Sequence, residues 1–504
     1  MGEGQDFSPS SGGVVFKMTK IAFLSAEFRP LAKIGGLADV ALELPKALLK
    51  LGLDIRLFMP RYSHIDLGDI NAEPAGVVDV LRGDQTIQAH VFSAVVGGIP
   101  VYLVDGPALQ QAPEVYPGQP LEGERFVFFS IAVVNYFCQS GWVPDVMHAN
   151  DWHTAAAVSY LALKQNGDDP EDAELGNTGS LLTIHNLPYM GNGSEPAVRA
   201  FQIPPVASEA LPDWAREIPL PMGIAIADRV STVSPTYALE IQTKEYGSGL
   251  DGLLSARADA LSGILNGIDP SSWDPATASD LAVNFTSDSL EDRKLGKKAL
   301  LEELDLDPDV SVPLLGMVTR LDTQKGVDIA LDALEGMLAK QDQMQRWSFV
   351  LLGTGNHHIE SRCADFAARH PDRIKAVLKY DAGLASRIYA GSDMILVPSR
   401  YEPCGLAQLI AMRYGGIPVV RKTGGLKDSV PPYSDEENGT GFLFKDFSAE
   451  ALQQALYQAF EVYRDQALWK SLQLRAMSAD FSWKRSAEQY RDLYLRIIES
   501  RSGN

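Results

Sequence analysis

Asp393-Met394-Ile395-Leu396-Val397-Pro398-Ser399-Arg400-Tyr401-Glu402-Pro403-Cys404-Gly405-Leu406 is the stretch on which the reading of this chain turns. After Asp393 comes an apolar run of buried-strand length with β-branched members. Beyond the stretch, Leu406, Leu409, Ile410 and Tyr414 recur at helical spacing. A strand therefore ends, a short loop displays Glu402, and a helix is expected to start near Pro403, because the first helical residue needs no amide hydrogen. Free amides at Cys404, Gly405 and Leu406 would then face the crevice above the strand ends, where open α/β sheets bind ligands. A carboxylate beside a fan of amide donors suits a hydroxyl-rich ligand such as a sugar. The plainer alternative is a glutamate that only favours the helix dipole.

The same strand-then-helix grammar extends in both directions. Downstream of Pro313, the runs at 313–318, 349–352, 374–378 and 418–420 alternate with helical patterns. Upstream, 21–24, 54–58, 99–104, 143–148, 181–184 and 228–233 do the same, opening as βαβ around Leu37, Val40, Leu44, Leu48 and Leu51, with Pro45 expected to kink or restart that helix. Such alternation means parallel sheets with helices on both faces. The expected organisation is a flexible tail at 1–17, a first Rossmann-like domain at 18–245, a second at 258–478, and a last helix within 479–504. One motif occurs in each series: Lys33-Ile34-Gly35-Gly36-Leu37-Ala38-Asp39 and Lys422-Thr423-Gly424-Gly425-Leu426-Lys427-Asp428. Both read as glycine-rich loops opening helices, able to approach an anion through backbone amides. Tight packing of two helix starts is the alternative.

Composition narrows the function classes. At 504 residues the chain exceeds one ordinary core, and 45% hydrophobic with 22% charged residues is the balance of a soluble globular protein. The formal charge of −21, from 44 basic and 65 acidic residues, disfavours broad contact with nucleic acid or anionic membranes. No run has the length of a membrane span. The first 17 residues are polar and lack Arg and an apolar core, which supports neither secretion nor a plastid transit peptide, with Met18 an alternative start. Cys138, Cys363 and Cys404 are scattered and without CxxC spacing, which fits a reducing cytoplasm. His357-His358 is the one adjacent histidine pair, and no carboxylate cluster stands at metal-ligand spacing.

Nine motifs then occur in one order: Lys33 to Asp39, His148 to His153, Thr183 to Asn186, Ser234 to Tyr237, Gly249 to Leu253, Leu265 to Asp269, Thr319 to Gly326, Ser399 to Leu406, and Thr423 to Leu426. Together they closely resemble the bacterial glycogen synthase and plant starch synthase family, from Lys20 to about Ile497. The resemblance implies a GT-B fold, with two Rossmann-like domains facing across a deep cleft and the last helix crossing back to the first. It implies transfer of glucose from ADP-glucose to the non-reducing end of an α-1,4-glucan with retention of configuration. No metal and no pyridoxal phosphate are implied.

By the same resemblance, Arg320 and Lys325 are the phosphate-binding pair, Glu402 the active-site glutamate and His153 the active-site histidine. Lys33 with Gly35 and Gly36 closes on the nucleotide, and the amides of Cys404, Gly405 and Leu406 hold glucose hydroxyls. Tyr380 matches the ring that stacks on the base, Asp39 and Asn266 are further donor-side positions, and His185 with Asn186 stands on the acceptor side. The chain departs from the pattern in two places. Asn150 replaces a histidine before Asp151-Trp152-His153, and the segment 191–227 is short, with Pro221-Met222-Gly223 near its end. That segment lines the acceptor side in the family, so a smaller acceptor is a second reading. A non-catalytic glucan-binding relative is a third, opposed by intact Lys33, His153, Arg320, Lys325 and Glu402. ADP against UDP preference and oligomeric state are not legible. Donor contacts on one domain and acceptor contacts on the other imply that the cleft closes for catalysis.

Overall fold

A computed structural model of the protein describes residues 18–340, 346–435 and 437–502. The expected tail at 1–17 lies outside the described residues. Nine strands build the first sheet: β1 Lys20–Leu24, β2 Asp54–Pro60, β3 Glu73–Arg82, β4 Gln85–Val96, β5 Ile99–Asp105, β6 Val146–Asn150, β7 Gly179–Ile184, β8 Arg229–Thr232 and β9 Leu261–Gly263. Six build the second: β10 Leu314–Val318, β11 Ser348–Leu352, β12 Ile374–Val377, β13 Met394–Val397, β14 Ile417–Arg421 and β15 Phe442–Phe444. The orders are β3-β4-β5-β2-β1-β6-β7-β8-β9 and β12-β11-β10-β13-β14-β15.

The second sheet is parallel throughout. The first is parallel from β5 to β9 but ends in an antiparallel hairpin, β3 with β4, which also pairs antiparallel with β5. This hairpin departs from the all-parallel expectation. One face is covered and the other is wet, so Val78 and Val80 alternate with exposed neighbours rather than forming a continuous apolar run. Strand β9 pairs with β8, so the first sheet extends past 258, where the sequence placed the start of the second half.

Each sheet has its own core. Ile395, Leu315 and Val350 sit at the centre of the second. The two faces of the first are filled separately, one by the helix Leu121–Ser140 and the other by the helix Leu37–Lys50 with the last helix, Trp483–Ser502. Leu37–Lys50 runs as one helix through Pro45, so the expected restart does not occur. The last helix does cross back. Tyr490, Tyr494 and Ile497 are fully buried there, and the Tyr494 hydroxyl lies 2.8 Å from His148 Nδ1 at the centre of the first sheet. Arg501 closes the end with two hydrogen bonds to Asp228, of 2.9 and 3.0 Å. Among the described residues no helix is long and apolar enough to cross a membrane.

Candidate active site

The strands of both sheets end toward one cavity of about 770 Å³, lined from both halves. On the side of the second sheet, β10 delivers Arg320 and Lys325, and β13 delivers the loop Ser399–Leu406. Lys325 Nζ lies 2.7 and 2.9 Å from the two Glu402 carboxylate oxygens, and the Ser399 hydroxyl donates to Glu402 at 2.8 Å. Glu402 is 5% exposed and Lys325 partly buried, so each member depends on the other; removing Lys325 would strand a buried, uncompensated carboxylate. Arg320 is freer, 3.3 Å from Asp322 and half-exposed.

The helix expected near Pro403 begins only at Ala407, with Leu406 as its cap. The physical reason lies in Gly405, whose φ of +77° is left-handed and breaks any helix drawn through it. The Pro403 carbonyl is instead used by the Ser234 hydroxyl at 2.6 Å, and Gln408 caps the Cys404 and Gly405 carbonyls. The amides stay open despite this shift. Among the described residues the amides of Cys404, Gly405 and Leu406 donate to no protein group. Cys404 is a buried free thiol whose pKa is pushed up to about 12 by burial, which makes it a packing side chain rather than a nucleophile.

The opposite wall is built by the loop after β1 and by the strand ends of β6 and β7. Lys33 Nζ pairs with Asp39 at 2.9 Å. Glu27, 3% exposed, accepts the amides of Ile34 and Gly35 at 2.8 and 2.7 Å and the Tyr116 hydroxyl at 2.6 Å. The Gly35 amide is therefore taken by the protein's own carboxylate, and only the Gly36 end of that loop remains for a ligand. Tyr116 in turn tilts over His153 with ring centroids 4.9 Å apart.

His153 is buried with Nδ1 unpartnered, and burial lowers its pKa to about 3. His185 is lowered to about 4 for the same reason and lies 2.9 Å from the Asn150 side-chain oxygen. Both imidazoles are neutral near pH 7. They can exchange hydrogen bonds with hydroxyls but contribute no positive charge. Asp151, at a left-handed φ of 56°, accepts the amides of His185 and Asn186 at 2.7 and 3.4 Å; burial outweighs these bonds and raises its pKa to about 7. Asn150 thus acts as a neutral bridge, also donating to the Leu24 carbonyl at 2.9 Å.

The cavity brings together His153, Glu402, Arg320, Lys325, Lys33, Gly35, Gly36, Asp39, Asn266, Cys404, Gly405, Leu406, His185 and Asn186. Side-chain oxygens of Asn186 and Asn266 join His153 Nδ1 as buried polar atoms without a protein partner, a costly state that a ligand would relieve. Tyr380 is not in the lining: it is 81% exposed, on the turn between β12 and the helix Ala382–Gly391. Pro221-Met222-Gly223 is not there either. It lies buried in the helix Pro219–Ile226, where Gly223 packs on Leu182 and Ala155. The sequence reading missed Glu27, Tyr116 and Ser399. Glu27 stands just past the end of β1, where a strand-end carboxylate is a usable signal, whereas nothing around Tyr116 announces it. Among the described residues no group of three or more His, Cys, Asp or Glu is placed to hold a metal ion.

Residues 20–256 match the family model of the starch synthase catalytic domain, and 305–470 match that of glycosyl transferases group 1. The chain is 41% identical over 488 residues to a glycogen synthase of Kosmotoga olearia, covering 95% of this chain and 98% of the relative. The chain belongs to the glycogen and starch synthase family. A glycogen synthase of Gloeobacter violaceus is likewise 41% identical over 483 residues, covering 95% of this chain and 99% of that protein. The solved catalytic domain of starch synthase IV from Arabidopsis thaliana, bound to ADP and acarbose, superposes with a TM-score of 0.84 at 33% identity, covering 96% of this chain and all of that one. Sucrose-phosphate synthase from Thermosynechococcus elongatus, at 20% identity and a TM-score of 0.60, shares the fold. The protein is a glycogen or starch synthase of GT-B fold, a retaining glucosyltransferase that moves glucose from a nucleotide-sugar donor onto a glucan acceptor.

Proposed function

We propose that this synthase takes glucose from ADP-glucose and adds it to the non-reducing end of an α-1,4-glucan, with Arg320, Lys325, Glu402, Lys33 and His153 carrying the reaction. The observation that carries this reading is the pairing of Lys325 with buried Glu402, which faces Lys33 and neutral His153 across one cavity. Breaking the C1–O bond leaves charge on the departing diphosphate, and preorganised cations around it lower the barrier. Arg320 and Lys325 supply that charge from one wall and Lys33, with the Gly36 amide, from the other. The amides of Cys404, Gly405 and Leu406 hold glucose hydroxyls, and neutral His153 accepts or donates a hydrogen bond to another.

Asp39 holds Lys33 in place, and Asn266 offers its unpartnered oxygen on the donor side. His185 and Asn186 mark the acceptor side. Retention through a covalent intermediate would need a free carboxylate nucleophile beside a second acid. Both Glu402 oxygens are already held by Lys325, which favours same-face displacement, with the leaving phosphate oxygen taking the acceptor proton. This chemistry calls for no metal and no pyridoxal phosphate, because three side-chain cations meet the diphosphate. The free thiols of Cys138, Cys363 and Cys404 fit work in the cytoplasm.

The test is incorporation of labelled glucose from ADP-glucose and from UDP-glucose into glycogen, with Glu402→Ala and Lys325→Ala alongside. Chain growth from ADP-glucose that drops by orders of magnitude in both variants is the expected result. Faster growth from UDP-glucose would replace the donor, and nucleotide release without chain growth would replace the acceptor.

A further inference from the structure

The second glycine-rich motif, Thr423 to Asp428, takes no part in the chemistry above, yet Thr423 and the short helix Gly424–Ser429 that it opens lie directly under the Glu402 loop. Its bonds run across the boundary between the two sheets. Glu240 ends the helix Pro235–Glu240, which follows β8 of the first sheet. Its carboxylate accepts the Thr423 hydroxyl at 3.0 Å and the Gly424 amide at 3.1 Å. Toward the far end of this helix, Asp428 accepts the amide and the hydroxyl of Thr236, both at 2.6 Å. On its other side the motif donates the Gly425 amide to the Glu402 carbonyl at 3.0 Å. Fully buried Ser234, from the start of the same helix, holds Pro403, the next residue in that loop.

A continuous path of hydrogen bonds thus leads from Glu240 in the first half to the backbone of Glu402 in the second. Nothing in its own helix asks for an acid at this position, since the C-terminal end of a helix disfavours negative charge. Burial opposes it further by raising its pKa. Among the described residues its compensation is the Thr423–Gly424 edge, with Arg421 the nearby cation.

We infer that Glu240 is a positioning residue for glucosyl transfer: from the first domain it sets the backbone that aims Glu402 and the Cys404–Leu406 amides. The inference rests on the reading of Glu402 as part of the donor site. It adds that the catalytic loop of one domain is held in place by the other, so that the two halves of the site are assembled at this joint as well as at the cleft.

The experiment measures kcat and donor KM for the full chain with labelled ADP-glucose, or UDP-glucose if that donor is the faster, and glycogen. The parent is compared with Glu240→Ala, Glu240→Gln and Glu402→Ala, and thermal melting is followed for each. Glu240→Ala is expected to lower kcat by about tenfold to a hundredfold, the scale on which misplaced reacting groups lose rate. Donor KM should stay within about threefold, because Lys33, Arg320 and Lys325 are untouched. Glu240→Gln keeps an oxygen that accepts from both Thr423 and Gly424, so it should recover most of kcat. If Glu240→Ala does not fold, Thr423→Val removes one bond of the same path and should lower kcat several-fold at constant KM.

Parental kcat in Glu240→Ala beside a crippled Glu402→Ala would overturn the inference while leaving the donor site intact. Equal losses in the Ala and Gln variants would overturn it in favour of a role for the charge. A parental rate in Glu402→Ala would instead remove the reading on which it rests.

Discussion

The two KxGGLxD loops share a sequence pattern and have opposite uses. Both have their amides capped by a carboxylate from outside the loop. Glu27, from the same domain, serves the first, and Glu240, from the other domain, serves the second. Around the first, Lys33 turns back onto Asp39, and a Cβ added at Gly35 or Gly36 would meet its nearest atoms at 3.7 and 3.9 Å, in ordinary contact. Around the second, a Cβ at Gly424 or Gly425 would overlap the carbonyl oxygens of Glu402 and Cys404, and Asp428 reaches Thr236 across the domain boundary. A glycine pair thus permits close approach of backbone only in the second place. In the first motif the room stays open to the cavity, and in the second it is filled by the loop that carries Glu402.

That contrast can be broken by mutation. Lys325→Ala, between the loops, should have the largest effect. It removes charge opposite the leaving diphosphate and strands Glu402, and kcat/KM should fall about a thousandfold, or about 4 kcal/mol. Gly425→Ala follows. Forcing a side chain into the Cys404 backbone should cost about 3 kcal/mol of stability, read as a lower urea midpoint at unchanged slope, together with lost activity. Gly36→Ala should leave stability within about 0.5 kcal/mol. If the two substitutions cost the same stability, the loops are not differently packed. Lys33→Ala should raise donor KM about tenfold with a smaller change in kcat, and the effect should shrink at high salt. A kcat loss at constant KM would give the first loop the role assigned to the second.

Acid sharpens the comparison further, because the deeply buried histidines lie in the first half. Between pH 6.5 and about 4, unfolded His153 and His185 bind protons that the folded forms, lowered to about 3 and 4, do not, so stability falls as pH drops through that window. Asp151, raised to about 7, works in the opposite sense: folded, it takes up a proton between pH 7 and 4 before its unfolded form does. Two histidines against one acid leave about 1.4 kcal/mol per pH unit, and His148, also lowered, adds to it. Urea melts at pH 5 and 7 should show the loss, and His153→Gln should reduce it. A flat profile would mean that these imidazoles are not buried neutral.

Much of this was legible because parallel strands buried on both faces read as short apolar runs, and because motif order carried the family. The hairpin β3–β4 was hidden, since its alternation is spread over long strands with many exposed residues. The helix after Glu402 was placed too early because proline is a good first helical residue, but a left-handed Gly405 decides otherwise. Tyr380 matched by position in the chain, yet position does not say which way a turn faces. The Glu27 brace and the Glu240 joint both act through backbone amides, the first within eight residues and the second across 184, and no side-chain motif records either.

The last helix carries a consequence for how the molecule is made. Tyr490, Tyr494 and Ile497 fill the first sheet against His148 and Gly179, but a ribosome delivers them only after the entire second half has emerged. The first half must therefore wait, with the part of one sheet face that the helix Leu37–Lys50 does not cover left open, until synthesis has passed Ile497. Nascent chains stalled before Trp483 should accordingly be cut by protease in the first half while the second resists.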